Sequence, residues 1–314
     1  MKTQGIHHIT AIVGNPQENV AFYAGVLALR FIKQTVNFDD PETYHLYFGN
    51  ESGAPGTAMT FFPWPNAYRG TIGGGQVGVT RFAVPRGALS FWRERLTSEG
   101  VVCKDKTRFN ETVLAFSDPH GLRLELVEHE ESPVSRYAYD GVDSTVAIKG
   151  FAGATLYSTA PEKTHRTLTD VLGFERVVED DERIRYRASG PLGNTVDVIK
   201  KAASRGTMGV GTVHHIAYRA ADDDAHAAFR SRVQESGLRV TPFIDRLYFR
   251  SIYFREYGDV LFEIATDDPG FTVDEPLEAL GETLRLPPQH EHLREGLKGK
   301  LKPIDGKRFK GKIQ

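Results

Sequence analysis

Apolar and polar residues alternate along Ile6–Val13, the period of a strand with one face in the core. Asn15-Pro16 then supplies a helix cap and a first-turn proline, and Val20, Phe22, Tyr23, Val26 and Leu27 follow at helical spacing. Arg30–Phe38, Thr43–Phe48 and Thr57–Phe62 are three further strand-like runs separated by turn residues. The order is βαβββ, and it restarts after the flexible joint Gly73-Gly74-Gly75. Val77–Val84 reads as a strand, Ala88–Leu96 as a helix, and Val101–Cys103, Thr112–Phe116 and Leu122–Val127 as the strands that complete the unit. A third copy opens at Phe151–Tyr157, with a helix over Thr164–Leu172 and strands near Glu175–Val178, Ile184–Arg187 and Thr195–Ile199. A fourth opens at Val213, with a helix at Asp224–Val233 and strands near Arg239–Pro242, Tyr248–Phe254 and Val260–Ala265.

Four restarts of one supersecondary unit predict an α+β fold. A sheet of four strands with one helix leaves a face uncovered, so the units should pair into two cupped mixed β-sheets. In chain order this gives a first domain of two units over 5–130, a linker over 131–149, a second domain over 150–267 and a tail over 268–314. The linker lies in the aperiodic stretch from Glu128 to Lys149, rich in Glu, Ser, Asp and Tyr. The tail predicts a helix at Pro276–Leu280, and its basic end, Lys298–Lys312, reads as a solvated face.

Composition narrows the class of function. With 39 Lys and Arg against 41 Asp and Glu, the net charge of −2 offers no field for nucleic acid or an anionic membrane. No apolar run reaches the length of a membrane span, and the N-terminus lacks a signal-peptide region. The single cysteine, Cys103, excludes an internal disulfide and fits a reducing, cytoplasmic setting. Gly73-Gly74-Gly75 lacks the following Lys-Ser/Thr of a phosphate loop, and no serine sits in a nucleophile elbow.

The repeats themselves point to chemistry. His8 in the first unit and His215 in the fourth occupy the same repeat position, where the second unit has Val79 and the third Gly153. Glu263 sits inside the apolar run Leu261-Phe262-Glu263-Ile264, where a buried charge needs a partner. Two histidines and one carboxylate on strands are the donor set of a non-haem metal site with open positions. Alternation places His8 with Thr10, away from the apolar face of Ile9, Ala11 and Val13 that should meet the helix. His8 and His215 are therefore preferred as ligands over His7 and His214. Glu125, at the Glu263 position of the second unit, reads as a vestige, with a fourth-ligand role or an arginine partner as the other readings.

The units also carry Phe22-Tyr23 before Val26-Leu27, and Asp118-Pro119-His120-Gly121 before the strand of Glu125. In this the chain resembles the vicinal oxygen chelate superfamily. The openings Gly5-Ile6-His7-His8-Ile9-Thr10-Ala11 and Val213-His214-His215-Ile216-Ala217-Tyr218, with Leu261–Phe271, Leu286-Pro287-Pro288 and the basic tail, resemble its bacterial ring-cleaving dioxygenases of the hydroquinone-resistance type. The resemblance implies a cytoplasmic Fe(II) enzyme that opens a small aromatic diol with O2, its ligands carried over as His8, His215 and Glu263. A glyoxalase-like isomerase or transferase using Mn, Ni or Zn is the second reading, and a non-enzymatic protein binding an aromatic compound the third. Better-known four-unit extradiol enzymes take their ligands from the third and fourth units, whereas here the third has Gly153. Units one and four should then form one cup and units two and three the other, unless two chains exchange parts. Tyr248, Tyr253 and Arg250 are the candidates for handling protons, with His290 and His292 of the tail behind them. Tyr44, Tyr47, Phe48, Phe61, Phe62 and Trp64 suit either a flat ring or ordinary core packing. Free sheet edges and the linker are compatible with a homodimer.

Overall fold

The first unit of the computed structural model, which describes residues 1–314, opens with strand β1 (Ile6–Val13) and helix α1 (Pro16–Val20). The Asn15 carboxamide caps that helix, accepting from the amides of Gln17 and Glu18 at 2.9 and 3.4 Å. The helix widens to a π-turn over Ala21–Val26, and β2 (Arg30–Val36), β3 (Tyr44–Gly49) and β4 (Ala58–Pro63) follow. The second unit is β5 (Gln76–Val84), α2 (Leu89–Ser98), β6 (Lys104–Arg108), β7 (Glu111–Ser117) and β8 (Arg123–Glu128). After the short β9 (Tyr137–Ala138), the third runs β10 (Gly150–Tyr157), α3 (Pro161–Arg166), β11 (Glu175–Glu179), β12 (Arg183–Arg187) and β13 (Thr195–Ile199). The fourth is β14 (Thr212–Ala220), α4 (Asp223–Glu235), β15 (Ile244–Asp245), β16 (Phe249–Arg255) and β17 (Leu261–Pro269).

Two mixed sheets of eight strands result. One runs β15-β16-β17-β14-β1-β4-β3-β2, joining units four and one; the other runs β11-β12-β13-β10-β5-β8-β7-β6, joining three and two. Each first strand lies parallel to the last strand of its own unit, and the first strands meet antiparallel at the centre, β1 on β14 and β5 on β10. Neither sheet is confined to one half of the chain: 5–130 and 150–267 each give one unit to each sheet. Helices cover one face. There Tyr23 of the first helix packs on Phe61 at 4.4 Å between ring centres and Trp92 of α2 is fully buried. Burial of each such ring contributes roughly 2–3 kcal/mol. The opposite, concave face of each sheet is left for chemistry.

Several boundaries differ from the sequence expectation. The second unit's edge strand starts at Lys104, after Val101–Cys103, because the Val101 amide is spent closing α2 on the Leu96 carbonyl at 2.8 Å. Arg239–Pro242 gives only a bridge from Val240 to Phe254, since Pro242 has no amide to extend the ladder. At Pro276–Leu280 a single 3₁₀ turn (Leu277–Ala279) replaces the predicted helix, with the Leu277 carbonyl drawn off by Arg30 at 2.5 Å. The basic tail is anchored: Leu297 and Leu301 enter the core and the last strand, β18 (Lys312–Ile313), pairs with β9.

Candidate metal centre

The two His-His pairs share a local distortion. Along β1 and β14, Ile6 faces Tyr218 and His8 faces Ala217, so His7 is an extra residue; Thr10 faces His215 and Ala11 faces Val213, so His214 is another. Each is a β-bulge, two residues opposing one, and each lets consecutive imidazoles reach the same neighbourhood. The Nδ1 atoms of His7 and His8 lie 2.9 Å apart, and those of His214 and His215 lie 2.7 Å apart. The other ring nitrogens of His8 and His215 converge. Their Nε2 atoms are 3.3 Å apart, and Glu263 Oε2 stands 3.2 Å from His8 Nε2 and 2.9 Å from His215 Nε2. Glu263 Oε1 accepts from the Ser251 hydroxyl.

The protonation pattern tests whether a cation fits this triangle. Burial, then the neighbouring His8, holds His7 well below the usual imidazole range, and burial with His215 brings His214 down to about 3. Both rings are neutral. If His8 and His215 donate their Nδ1 protons to them, three unprotonated donor atoms meet within 3.3 Å with no hydrogen between them. A cation relieves that repulsion. Donors about 2.1 Å from one metal and at right angles lie about 3 Å from each other, close to the triangle observed. Burial raises the Glu263 carboxyl, and only positive charge at His8 and His215 can hold it well below the usual carboxylate range; a cation between the three groups supplies that charge without protons on the rings. Glu263 Oε2 has no hydrogen-bond donor, which leaves its lone pairs for a metal.

In front of the triangle is a cavity of about 330 Å3, at the small end of ligand pockets and of the size of a single ring. Phe62, Trp64 and Phe249 give it apolar walls, with His45, Tyr253 and Arg246 as its polar groups. Of the sequence candidates, Tyr253 lines this cavity. Its phenol accepts from Arg246 Nε at 3.3 Å, and burial, followed by Glu263, pushes it well above its usual range. Tyr248 does not reach the cavity: it donates to Asp274 at 3.1 Å and packs on Phe271. Arg250 lies on the helix-covered face, paired with Asp223 in the first turn of α4. Phe249, Ser251 and Tyr253 share the face turned to Glu263 and the cavity, so Arg250, between them on the strand, points the other way, while Leu247, at a positive φ of 66°, lies in the turn between Arg246 and Tyr248. His290 donates to the Phe38 carbonyl at 2.9 Å, and neither it nor His292 lines the cavity. Arg246, missed in the sequence, is the guanidinium of the site and also pairs with Asp39 at 3.0 Å.

The second cup shows why only one triangle exists. β5 pairs with β8 so that Arg81 faces Glu125, as Ala217 faces Glu263 in the first sheet; Val79 and Gly153 then hold the two histidine positions. Arg81 bridges Asp197 and Glu111 at 3.1 and 3.0 Å, Arg185 closes the ring to both at 2.7 Å, and Arg108 holds Glu125 at 3.0 Å. Glu125 is an ion-pair partner here. A larger cavity, about 1,040 Å3, opens beside it but has no second donor triangle.

The Glyoxalase/Bleomycin resistance protein/Dioxygenase superfamily model matches residues 5–126. The chain is 54% identical, over 97% of both proteins, to "Putative ring-cleaving dioxygenase MhqO" of Bacillus subtilis (strain 168). The chain belongs to this superfamily. It is also 35% identical, over 94% of its length and 95% of the relative's, to the chlorohydroquinone/hydroquinone 1,2-dioxygenase of Sphingobium indicum. The crystal structure of a "putative dioxygenase" from Bacillus subtilis subsp. subtilis str. 168 covers 97% of the chain and 98% of its own, with a TM-score of 0.96 at 54% identity. Glyoxalase I of Zea mays shares the superfamily fold, with a TM-score of 0.64 at 12% identity over 89% of this chain and 97% of that one. No helix is long and apolar enough to cross a membrane.

Proposed function

We propose that the chain is a ring-cleaving dioxygenase that holds Fe(II) on His8, His215 and Glu263 and opens a hydroquinone- or catechol-type diol with O2. The observation that carries this reading is the triangle of donor atoms at 2.9–3.3 Å facing a one-ring cavity. The relatives named for ring cleavage support it. When bound, the metal supplies adjacent positions where diol and O2 meet, and a path for electrons between them.

The chain's own residues do the rest. The bulged His7 and His214 accept the Nδ1 protons of the two ligand histidines and fix their rings, as second-layer partners do in metal sites. Ser251 orients the Glu263 carboxylate from the far side. Phe62, Trp64 and Phe249 exclude water and clamp the ring. Arg246 stays cationic, held by Tyr253 and Asp39 against the opposing effect of burial, and favours the ionised form of a phenolic oxygen. Tyr253, kept protonated, is placed to donate to a developing oxyanion.

The test is metal analysis of protein purified without oxygen, then oxygen uptake with a panel of catechols and hydroquinones. Stoichiometric iron and uptake that disappears in His215→Ala and Glu263→Ala are expected. Another metal without uptake would move the chain to the isomerase or transferase branch, and absence of any metal would end the enzyme reading.

A further inference from the structure

A cavity that receives a diol has to meet two hydroxyl donors, so its acceptors decide which diols fit. Among its side chains outside the metal triangle, few acceptors are both buried and unspent. Asp39 is mostly exposed and one of its oxygens accepts from Arg246 at 3.0 Å, and the Asn37 oxygen accepts from the Asp39 amide at 3.0 Å. Trp64 is only a donor, and its Nε1 goes to Thr43 at 3.2 Å. On the metal-centre reading His214 accepts from His215 at Nδ1, which puts its own proton on Nε2. Arg246 and Tyr253 are donors. What remains is a hydrogen-bond chain on the wall formed by β1, β3 and β4. The Tyr47 phenol lies 2.8 Å from His45 Nδ1, His45 Nε2 lies 2.9 Å from Thr60 Oγ1, and Thr60 Oγ1 lies 2.7 Å from Thr10 Oγ1.

Four donors share these three links, so one hydrogen is left over, and the His45 tautomer decides whether it is the Tyr47 hydrogen or a threonine hydrogen. Phenol is the strongest acid of the four groups and a neutral imidazole nitrogen the strongest base, which sets the Tyr47 O–H as donor to His45 Nδ1. His45 then carries its proton on Nε2 and donates to Thr60, and Thr60 donates to Thr10. Burial keeps His45 neutral and the Tyr47 phenol protonated, as this ordering needs. With its hydrogen turned into the wall, the Tyr47 oxygen presents lone pairs to the cavity. Phe271 packs edge-on against the Tyr47 ring at 5.0 Å, and Phe62 lies against His45 at 4.5 Å, so neither swings freely.

We propose that Tyr47, set as an acceptor by His45, is a specificity-determining residue that receives a substrate hydroxyl lying away from the metal. A 1,4-diol bound through one oxygen has such a hydroxyl, and a 1,2-diol chelating through both does not. The assignment rests on the metal-centre reading above and deepens it.

Two measurements on the full-length, Zn(II)-loaded chain test it without turnover. In the first, ¹⁵N-histidine NMR reads the tautomer of His45, with His45→Gln identifying its signals. Protonated Nε2 and unprotonated Nδ1 are expected; the reverse tautomer overturns the proposal, because Tyr47 would then be a donor. In the second, anaerobic Kd values are compared for hydroquinone and 4-methoxyphenol, which lacks the second donor. Wild type should prefer hydroquinone about three- to tenfold, the range of one hydrogen bond. Tyr47→Phe and His45→Phe should bring that preference to within about twofold, and His45→Gln, which keeps an acceptor and a donor, should restore most of it. An unchanged preference in Tyr47→Phe overturns the proposal alone. If wild type binds neither phenol, the metal-centre reading falls and this one with it.

Discussion

Glu263→Gln preserves the side chain's shape and removes its charge, which makes it a sharp test of what the triangle is for. In wild type the carboxylate is fully buried, 2.9 and 3.2 Å from two imidazole nitrogens. If those nitrogens are metal ligands and carry no protons, the charge is uncompensated without metal, and the metal-free variant should be as stable as wild type or more so. Metal binding should suffer instead. Loss of even an outer-layer partner weakens affinity about 10–100-fold, and loss of a ligand should reach about 100-fold or more. At a metal concentration of about 100 times the wild-type Kd, binding adds about 2.7 kcal/mol to wild type, but only about 0.4 kcal/mol to a variant then sitting at its own Kd. For a chain of this size about 1 kcal/mol moves Tm by about 2 °C, so a shift of about 5 °C should shrink to about 1 °C. Thermal unfolding with and without Mn(II) or anaerobic Fe(II) reads both quantities. Two results would refute the reasoning: an undiminished metal-induced shift, or a metal-free variant about 3 kcal/mol less stable than wild type, the mark of a broken His–carboxylate ion pair.

Arg246→Ala should lower kcat/KM for a diol by about tenfold or more through loss of the cavity's cation, whereas Arg250→Ala, on the other face, should leave it unchanged; equal effects would return Arg250 to the site. Arg81→Met should cost about 3–5 kcal/mol in urea unfolding, because the fully buried Asp197 loses one of its two arginine partners, while metal content stays the same. A loss below about 1 kcal/mol would show that Arg185 and Arg108 suffice. Asp118 is raised from 3.8 to about 6, chiefly by burial. A raised pKa means that the folded state binds the proton more tightly, so this stabilisation is complete below about pH 4 and gone above about pH 6, a change of about 3 kcal/mol. Asp118→Asn should flatten that part of the stability–pH curve between pH 4 and 6, and an unaltered curve would remove Asp118 as its source.

The triangle of His8, His215 and Glu263 was readable because the chain repeats. His8 and His215 gained meaning from Val79 and Gly153 at the same place in the other units, and the cup that joins units one and four followed from that contrast. What alternation missed is non-local. It put His7 and His214 on the helix side, but a bulge depends on the register of the partner strand, which is not written in the bulged strand's own period. Arg250 was favoured over Arg246 for a similar reason. Which face of β16 turns to the cavity is set by its neighbour β17: Ser251 and Tyr253 meet Glu263 from one side, so Arg250 lies on the other. Tyr47 and His45 were hidden because an aromatic strand facing a cavity has the same pattern as one facing the core.

The pairing of the first unit with the fourth also orders events during synthesis. Strand β1 carries His8 out of the ribosome early, but the strand it needs beside it begins at Thr212, and the carboxylate follows only at Glu263. All the strands of units two and three, contiguous apart from the linker, are synthesised before β14 and β17. A translation product interrupted before β14 therefore has His8 alone of the three residues and no cup. A metal held on His8, His215 and Glu263 as proposed could be loaded only by a nearly full-length chain.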